Sequence, residues 1–316
     1  MSKFNIKLID SINAQEVWKE SPNNNIFNNP SFLSHFKNCK IYSLKKGDEI
    51  LCCWPIIDNT SKMKIPDFFY YFGPYWSKNA YKLPLHSWLS TSKGVYEKFL
   101  DYYTKKFTDI NFQLHYSLTD TRIFDWWNFG KKNQKKFTVM PKYTAILENI
   151  NERNIKDISA DYRYVRRYEI KNFAKHLSKI SKHDANFEEI FDLYIKNYNL
   201  DESNENIKKY EKSLLNIFNL AKKKFGKVTS FKETSSNSLI YCAITLNDHK
   251  STNLVINCAS YKWKKEGLMA WAINELINES KNNCNLFDFN GANSPQRGDD
   301  KHSYGAKEKL YFQLKY

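Results

Sequence analysis

The spacing of apolar and polar residues predicts a mixture of helices and strands in the first half of the chain. Residues 12–38 have the pattern of two helices, with Ser31 capping the second one after a turn at Asn29-Pro30. The sequence Lys46-Gly47-Asp48 is a hairpin-turn signal between two apolar strands. The other elements predicted for this half are strands over Cys39–Leu44, Glu49–Ile57, Asn111–Leu118 and Phe137–Leu147 and a helix over Gly94–Phe107.

A polar segment without aromatic residues, Glu148–Ala160, separates two regions of dense apolar pattern. We place the domain boundary there, between residues 1–150 and 151–316. The second half has helices first, then consecutive strands, then a helix and a strand, which predicts an α+β fold with a mixed sheet. The first half shows a similar order, which is compatible with an internal duplication. The helices predicted for the second half are Asp161–His176, Phe187–Asn199, Asn206–Phe225 and Lys265–Asn282, and the strands are Leu177–Lys182, Lys227–Lys232, Leu239–Leu246, Ser251–Ala259 and Asn285–Phe289.

The composition is that of a folded globular chain. Of its 316 residues 41% are hydrophobic and 16% aromatic, so burial can offset the entropy of ordering. The longest apolar run, Ile50–Ile57, is far shorter than the ~20 residues of a membrane-spanning helix. Residues 1–10 alternate in polarity and lack a signal-peptide core. The six cysteines lack metal-ligand spacing, so we expect free thiols, no metal site and a cytoplasmic location.

The chain is strongly basic. Lys and Arg outnumber Asp and Glu by 49 to 34, which gives a net charge of +15. Such a balance suits a polyanionic partner, but the lysines are scattered along the chain, often beside Asn, as they are on ordinary solvated faces. Charge alone therefore does not distinguish a nucleic acid, a phosphate-bearing cofactor and no partner at all.

Residues capable of chemistry are densest in the segment 287–306, which follows the last predicted strand. Three of the nine glycines of the chain lie here, which indicates backbone that bends sharply or approaches a ligand. The segment is either a functional loop or a structural loop whose polar side chains satisfy its own turns. Its polar and glycine candidates are Asp288, Asn290, Gly291, Arg297, Gly298, Asp299, Asp300, His302, Ser303, Tyr304 and Gly305.

A second candidate is the basic connection Ser260–Met269, which leads from a predicted strand into a predicted helix. Lys262, Lys264, Lys265 and Gly267 lie where the N-terminal N–H groups of that helix suit a phosphate. An ordinary basic loop is the competing interpretation.

The third candidate is the Arg-rich segment Asp161–Lys171. Arg163, Arg166 and Arg167 are spaced i, i+3 and i+4, which places them on one face of a helix. Such a face binds anions by bidentate hydrogen bonds, or it is a solvated face with Glu169 as partner.

Several established catalytic motifs are absent from the sequence. It contains no Gly-x-Ser-x-Gly nucleophile elbow, no Walker loop, no dinucleotide-binding glycine pattern and no His-Glu-x-x-His metal motif. Covalent hydrolase and metalloprotease chemistry are therefore disfavoured.

Taken in order, seven segments resemble the FemAB-like branch of the GNAT N-acyltransferase superfamily, also called BioF-like or acetyltransferase 6 proteins. The resemblance is strongest over 160–316 and thin over 77–140. The chain departs from the GNAT pyrophosphate loop, Arg/Gln-x-x-Gly-x-Gly/Ala, because the matching place reads Lys262–Met269 and keeps only Gly267. The similar segments are Asn25–Leu33, Phe72–Trp76, Tyr164–Ala174, Cys258–Ser260, Gly267–Asn282, Phe287–Gly291 and Gly298–Gly305.

The resemblance implies two tandem GNAT-like domains, each with a mixed, mostly antiparallel sheet flanked by helices. It implies transfer of an acyl group from acyl-CoA or a related thioester to an amino or hydroxyl group, by direct attack in a ternary complex and with no permanently bound cofactor. We expect the acceptor to be a sugar, a nucleotide-sugar or a cell-envelope precursor.

This interpretation gives roles to individual residues. Asp300 or His302 would act as the base, Asp288 would orient the acceptor, and Tyr304 would return a proton to the leaving thiolate. Lys262, Lys265 and Gly267 would bind the donor phosphates, and the acceptor would be bound by Arg163, Arg166, Arg167, Asn290, Gly291 and Arg297.

Two alternatives remain open. An aminoacyl-tRNA-dependent ligase of the peptidoglycan-bridge type has the same resemblance, although the long coiled-coil arm of some such members has no counterpart here. The degenerate phosphate loop also fits a non-catalytic binding module that has kept the fold.

Overall fold

The computed structural model describes residues 4–200, 205–294 and 298–316. The chain forms two compact units, Met1–Lys142 together with Leu310–Tyr316, and Tyr143–Lys309. The sequence pattern places the boundary within 148–160, whereas the units change at 142–143 and the last seven residues return to the first unit. No helix among the described residues is long and apolar enough to cross a membrane.

Nine of the thirteen strands among the described residues match predicted ones, whereas Phe4–Leu8, Lys62–Met63, Tyr75–Trp76 and Lys307–Lys315 are strands that the sequence pattern does not predict. The strands are β1 (Phe4–Leu8), β2 (Cys39–Lys46), β3 (Glu49–Asn59), β4 (Lys62–Met63), β5 (Tyr75–Trp76), β6 (Asp109–Gln113), β7 (Thr138–Leu147), β8 (Ile180–Lys182), β9 (Gly226–Glu233), β10 (Leu239–Asn247), β11 (Ser251–Ala259), β12 (Leu286–Asp288) and β13 (Lys307–Lys315).

The helices agree with the prediction less well at their ends. They are α1 (Ser11–Glu20), α2 (Pro30–Leu33), α3 (Lys78–Tyr81), α4 (Leu85–Lys106), α5 (Arg122–Asp125), α6 (Ile155–Ala160), α7 (Tyr164–Phe173), α8 (Phe187–Tyr198), α9 (Glu205–Leu220), α10 (Tyr261–Lys265), α11 (Leu268–Ser280) and α12 (Gly298–His302).

Two helix starts differ from the prediction for local reasons. The cap of α2 is Asn29 and not Ser31, because the Asn29 side chain accepts from the amides of Ser31 and Phe32, and Pro30 takes the first helical position. The Arg-rich helix begins at Tyr164, three residues later than predicted, since Arg163 has the extended backbone of an N-cap residue.

The first unit is built on mostly antiparallel strands, with β4 and β6 parallel, and has aromatic side chains between sheet and helix. The predicted hairpin forms between β2 and β3, and Gly47 supplies the left-handed backbone of its turn with φ of 64°. In the core Trp54 of β3 lies edge-on to Phe99 and Tyr103 of α4, with ring centroids 5.1 and 5.3 Å away. Strand β13 returns antiparallel to β6.

The second unit has the strand order β7-β12-β11-β10-β9-β8. All of its neighbouring strands are antiparallel except β11 and β12, which run parallel. Helix α11 packs against α7, where Phe173 contacts Trp271 and Trp263, while α8 packs against β10 and β11. The one parallel pair is the part of this unit that positions the candidate site.

Candidate functional site

Strands β11 and β12 pair only where both begin. Their register runs from Ser251 opposite Leu286 to Asn253 opposite Asp288, and β12 ends there, while β11 continues along β10 as far as Ala259. Among the described residues the two strands do not pair beyond this point. We call the space between Leu254–Ala259 and the segment that follows β12 the wedge. A strand edge without a paired neighbour offers main-chain groups to an extended ligand.

The wedge begins at an irregularity in β11. Opposite β10, Ile244 pairs with Ile256 and the next residue, Thr245, pairs with Leu254, so Val255 is an extra residue in β11. This β-bulge interrupts the pairing of β11 with β10 and changes the direction of the main-chain groups of β11, as bulges beside active sites commonly do. The sequence offers no signal for the bulge, because Val255 lies in an unbroken apolar run.

Asp288, predicted to orient an acceptor, is buried at the end of β12. Its Oδ1 accepts hydrogen bonds from Thr144 Oγ1 at 2.6 Å and from the Asn290 amide at 2.8 Å. Asn290 and Gly291 then adopt left-handed backbone, with φ of 51° and 52°. The carboxylate therefore shapes the turn out of β12, and Asn290 Nδ2 reaches the carbonyl of Leu254 across the wedge at 3.3 Å.

Lys301, a residue the sequence reasoning did not single out, fastens α12 to this turn. Its ammonium group donates to the carbonyl oxygens of Asn290 and Gly291. Because both carbonyls belong to the turn shaped by Asp288, Lys301 fixes the position of the segment that carries the predicted base.

Arg166 lies at the centre of a second set of contacts in the same unit. Its guanidinium donates to Ser303 Oγ at 2.7 Å, to Glu169 Oε2 at 2.6 Å and to Asp300 Oδ1. Asp300, one of the two predicted bases, is thus engaged by Arg166. The interpretation of Glu169 as partner of this arginine is confirmed.

The three arginines do not form the single anion-binding face that their spacing predicts. Arg163 precedes α7 and its amide donates to the Ser303 carbonyl at 2.9 Å. Arg167 is exposed and donates to the carbonyl of Ala160 at 2.7 Å. Only the Arg166 side chain contacts the loop, because it hydrogen-bonds Ser303, whereas the side chains of Arg163 and Arg167 are exposed.

Tyr304 is fully buried, with its ring between Phe289 and the guanidinium of Arg166. The ring centroids of Tyr304 and Phe289 are 5.4 Å apart, and the Arg166 guanidinium carbon is 5.4 Å from the Tyr304 centroid. Burial raises the pKa of Tyr304, and the charge of Arg166 counteracts only part of that rise. The phenol is therefore protonated at neutral pH, as a proton donor must be.

Several buried polar atoms of this unit have no hydrogen-bond partner among the described residues. Buried polar groups are normally paired, so unpaired ones are candidates for contact with a ligand or water. The hydroxyl of Tyr241 on β10 interacts electrostatically with that of Tyr304. The unpaired atoms include Tyr241 Oη, Tyr304 Oη, Asn257 Oδ1 and Asn290 Oδ1.

His302 lies on α12, one turn before the end of the loop. Its Nδ1 is 3.1 Å from the carbonyl oxygen of Ala306, and its Nε2 is 3.8 Å from a carboxylate oxygen of Glu308. Nδ1–H donating to Ala306 fixes the tautomer in which Nε2 is the proton acceptor. Of the two predicted bases, His302 is therefore the less engaged.

The predicted phosphate-binding residues have other contacts in this structure. Lys262 pairs with Glu233 at 2.7 Å, and Lys265 lies 4.5 Å from the ring centroid of Tyr261. Gly267 has φ of 91°, and a Cβ there would lie 2.6 Å from the carbonyl oxygen of Glu169. The close packing of α7 on α11 thus explains the glycine without a ligand, although the first-turn N–H groups of α11 have no acceptor within their own helix.

One predicted residue, Arg297, lies outside the described residues. Within the ranges that the structure describes, no group of three or more His, Cys, Asp or Glu side chains is arranged to hold a metal ion. Thr144, Tyr241 and Lys301 escaped sequence reasoning because strand pairing and loop closure, not spacing, bring them to the wedge.

No family model matches the chain, and no curated protein matches it. Solved structures match over almost all of its length. The structure of FemX is similar to it, with a TM-score of 0.61 and 8% identity, and the match covers 98% of this chain and 96% of FemX. The structure of L-PGS from Bacillus licheniformis is also similar, with a TM-score of 0.57 and 12% identity, and the match covers 98% of this chain and 92% of L-PGS.

A tandem GNAT protein from the clavulanic acid biosynthesis pathway is similar over 98% of its own length and 99% of this chain, with a TM-score of 0.54 and 7% identity. Identities this low establish the fold and nothing finer. The expected α+β fold with the architecture of tandem GNAT and FemAB-like proteins is confirmed.

Proposed function

We propose, from the premise that this chain has the GNAT-type, FemAB-like fold, that it is an acyltransferase. It moves an acyl group from an acyl-CoA-type thioester to an amino or hydroxyl group of a sugar, a nucleotide-sugar or a cell-envelope precursor. Both substrates are bound at once and the acceptor attacks the thioester directly. The similar structures include a tandem GNAT protein, which supports transferase chemistry.

The wedge is the observation that carries the proposal. A pantetheine arm is an extended chain with amide groups, which suits the main-chain edge of β11 that follows the bulge at Val255. At the end of this edge the Ala259 amide already donates to Asn197 Oδ1 of α8 at 3.4 Å, so the arm would bind before that residue. The thioester would then lie near the unpaired polar atoms of Tyr241, Asn257 and Asn290. Of these atoms only the Tyr241 hydroxyl is a hydrogen-bond donor, so it would stabilise the negative charge that develops on the donor carbonyl. The Oδ1 atoms of Asn257 and Asn290 would accept hydrogen bonds from amide or amino groups of the substrates.

The proton transfers follow from the side chains around the loop. The acceptor nitrogen forms a bond to the thioester carbon and loses its proton to His302 Nε2, or to Asp300 if Arg166 releases it. The carbon–sulfur bond breaks, and the thiolate takes the proton of the Tyr304 phenol. Solvent reprotonates Tyr304 after the products leave, so the step consumes no further reactant.

The donor phosphates would bind at the start of α11. The macrodipole and the free N–H groups of its first turn favour an anion there, and Lys262 and Lys265 lie on the preceding helix α10. Lys262 would have to exchange Glu233 for the phosphate.

The test is release of free CoA from a panel of acyl-CoA donors in the presence of amino sugars and nucleotide-sugars. We expect release that requires both substrates and loss of it in the double variant Asp300→Ala/His302→Ala. No release with any pair, or release that does not depend on an acceptor, would contradict direct transfer.

An aminoacyl-tRNA donor is the second candidate, and the exposed face of α7 favours it. Tyr164 and Tyr168 are 73% and 58% exposed with rings 6.5 Å apart, and the exposed Arg163 and Arg167 lie beside them. Aromatic and basic side chains together bind nucleic acid, and such binding weakens steeply with salt. A filter-binding series with tRNA over salt concentration distinguishes it, because CoA binding depends on salt far less.

A further inference from the structure

Three adjoining cavities in the first unit form one groove along α4. Their volumes are about 600, 330 and 530 Å³. The first two share Lys93, Ile123 and Trp126, and the last two share Tyr96 and Arg122, so each cavity adjoins the next. A space of this size matches the range in which small-molecule sites fall. The residues that line the groove lie in the part of the sequence where the family resemblance is thin.

One wall of the groove is a single face of α4. Leu89, Lys93, Glu97, Asp101 and Thr104 are spaced three or four residues apart, so they form one stripe along the helix. Lys93, Glu97 and Asp101 of this stripe are exposed, and Lys93 pairs with Glu97 at 3.9 Å. The stripe therefore offers a ligand charged and hydrogen-bonding groups.

The other wall is aromatic. Trp126 follows α5 and is 46% exposed, with Arg122 5.5 Å from its ring centroid and Lys93 5.9 Å from it. Trp127 lies beside it, and its Nε1 is buried without a partner in the described part of the chain. At the far end Trp88 and Tyr81 line the third cavity with ring centroids 5.3 Å apart. Flat rings spaced along a groove suit the apolar faces of sugar rings.

A planar fork of hydrogen-bonding groups lies between these rings. Asp120 accepts from the Nε and Nη2 atoms of Arg122 at 2.9 and 2.8 Å, and both side chains remain partly exposed. The pair presents a carboxylate edge that accepts and a guanidinium edge that donates, which is the combination that sugar hydroxyls need.

The charges of the groove are balanced, which decides the kind of ligand. Its cationic and acidic side chains are Lys93, Arg122, Lys131, Glu97, Asp101 and Asp120. A polyanion such as a nucleic acid requires a surplus of cations, which this groove lacks although the whole chain carries +15. We propose that the groove binds a neutral oligosaccharide, with Trp126 and Trp88 stacking on sugar rings and the Asp120–Arg122 fork binding hydroxyls. This inference does not depend on the proposed acyl transfer.

The experiment titrates the full chain with chitohexaose and with maltohexaose by isothermal calorimetry, using a heparin hexasaccharide as the polyanionic comparison. The variants are Trp126→Ala and Asp120→Asn. Phe129→Ala is the matched control, since Phe129 is 76% exposed in the same turn and does not line the groove. Circular dichroism of each variant checks that it is folded.

We expect one of the neutral hexasaccharides to bind, with about tenfold weaker binding in Trp126→Ala and Asp120→Asn and unchanged binding in Phe129→Ala. If neither neutral sugar binds at about 10 mM, the proposal is wrong. Tighter binding of the heparin hexasaccharide, or an equal loss in Phe129→Ala, would also overturn it.

Discussion

At the level of single residues, the proposed function assigns the hydroxyl of Tyr304 the transfer of a proton to the leaving thiolate. It is buried beside the wedge, has no partner among the described residues and is held protonated by burial. A hydroxyl of that kind contributes little to folding, because its desolvation is not offset by a hydrogen bond. We propose that it is retained for proton transfer.

Tyr304→Phe removes this hydroxyl and keeps the ring. We expect turnover to fall by about 10²–10⁴-fold with little change in the free energy of unfolding. Steady-state CoA release and urea unfolding measure the two quantities. Tyr162→Phe is the matched control, since Tyr162 is a second buried phenol without a described partner and its ring is 5.4 Å from that of Tyr304. Normal turnover in Tyr304→Phe would remove its assigned role.

Arg166 and Arg167 are neighbours in sequence, but they differ in the contacts that they make and in their expected contribution to stability. Arg166 joins α7 to Ser303 and Asp300, whereas Arg167 makes one exposed bond to a carbonyl. We expect Arg166→Met to lower the free energy of unfolding by about 1–3 kcal/mol and Arg167→Met to change it by less than about 0.5 kcal/mol. Urea titration compares the two, and equal effects would show that the Arg166 contacts do not stabilise the unit.

At the level of elements, the crossing of α7 and α11 depends on a residue without a side chain. Gly267→Ala places a Cβ 2.6 Å from the Glu169 carbonyl at φ of 91°, whereas Gly130→Ala meets no atom within 4 Å at φ of 74°. Both variants incur the cost of left-handed backbone, about 1–2 kcal/mol, and only the first adds a clash of about 1–3 kcal/mol. Thermal melts measure the Tm of both variants, and we expect the larger decrease in Gly267→Ala. Equal decreases in Tm would show that α7 and α11 can move apart to accommodate the Cβ.

The start of α8 is tied to two neighbouring segments by Glu189. Burial raises the pKa of Glu189, but hydrogen bonds from Lys232, His183 and the Asn186 amide outweigh it and lower the pKa to about 2. Because the folded-state pKa lies below the ordinary value of 4.5, this stabilisation is fully present above pH 4.5 and is lost as the pH falls toward 2.

Glu189→Gln removes that titration. We expect the variant to be less stable than the wild type at pH 7 and its unfolding midpoint to change less between pH 4.5 and pH 2. Urea midpoints measured across this window test the assignment. Parallel pH profiles for the two proteins would refute it.

At the level of the whole molecule, the sequence predicts elements better than it predicts contacts. The hairpin at Gly47 and the existence of strands β9 to β12 follow from period-two patterns and turn residues, which are local signals. The order of these strands in the sheet does not follow from such signals. The start of α4 at Leu85 was missed because its first turns are rich in Ser, Thr and His, which are weak helix formers.

In the candidate site, too, the sequence indicates the segment but not the contacts between segments. The loop with Asp300, His302 and Tyr304 was identified from its density of glycine and polar residues. The bulge at Val255 and the bond from Thr144 to Asp288 have no local signature, since each arises from pairing between strands that are distant in sequence. The spacing of Arg163, Arg166 and Arg167 does not show where the helix begins. Because Arg163 is the N-cap, only Arg166 and Arg167 lie within α7.

The central claim is that the second unit binds an acyl-CoA-type donor in the wedge. The most direct measurement is equilibrium titration of the wild-type chain with acetyl-CoA, by calorimetry and native mass spectrometry. We expect one molecule bound per chain with a Kd below about 1 mM, and the same affinity in Tyr304→Phe, because that hydroxyl acts on the leaving group. No binding at about 10 mM acetyl-CoA by a chain that unfolds cooperatively would contradict the account.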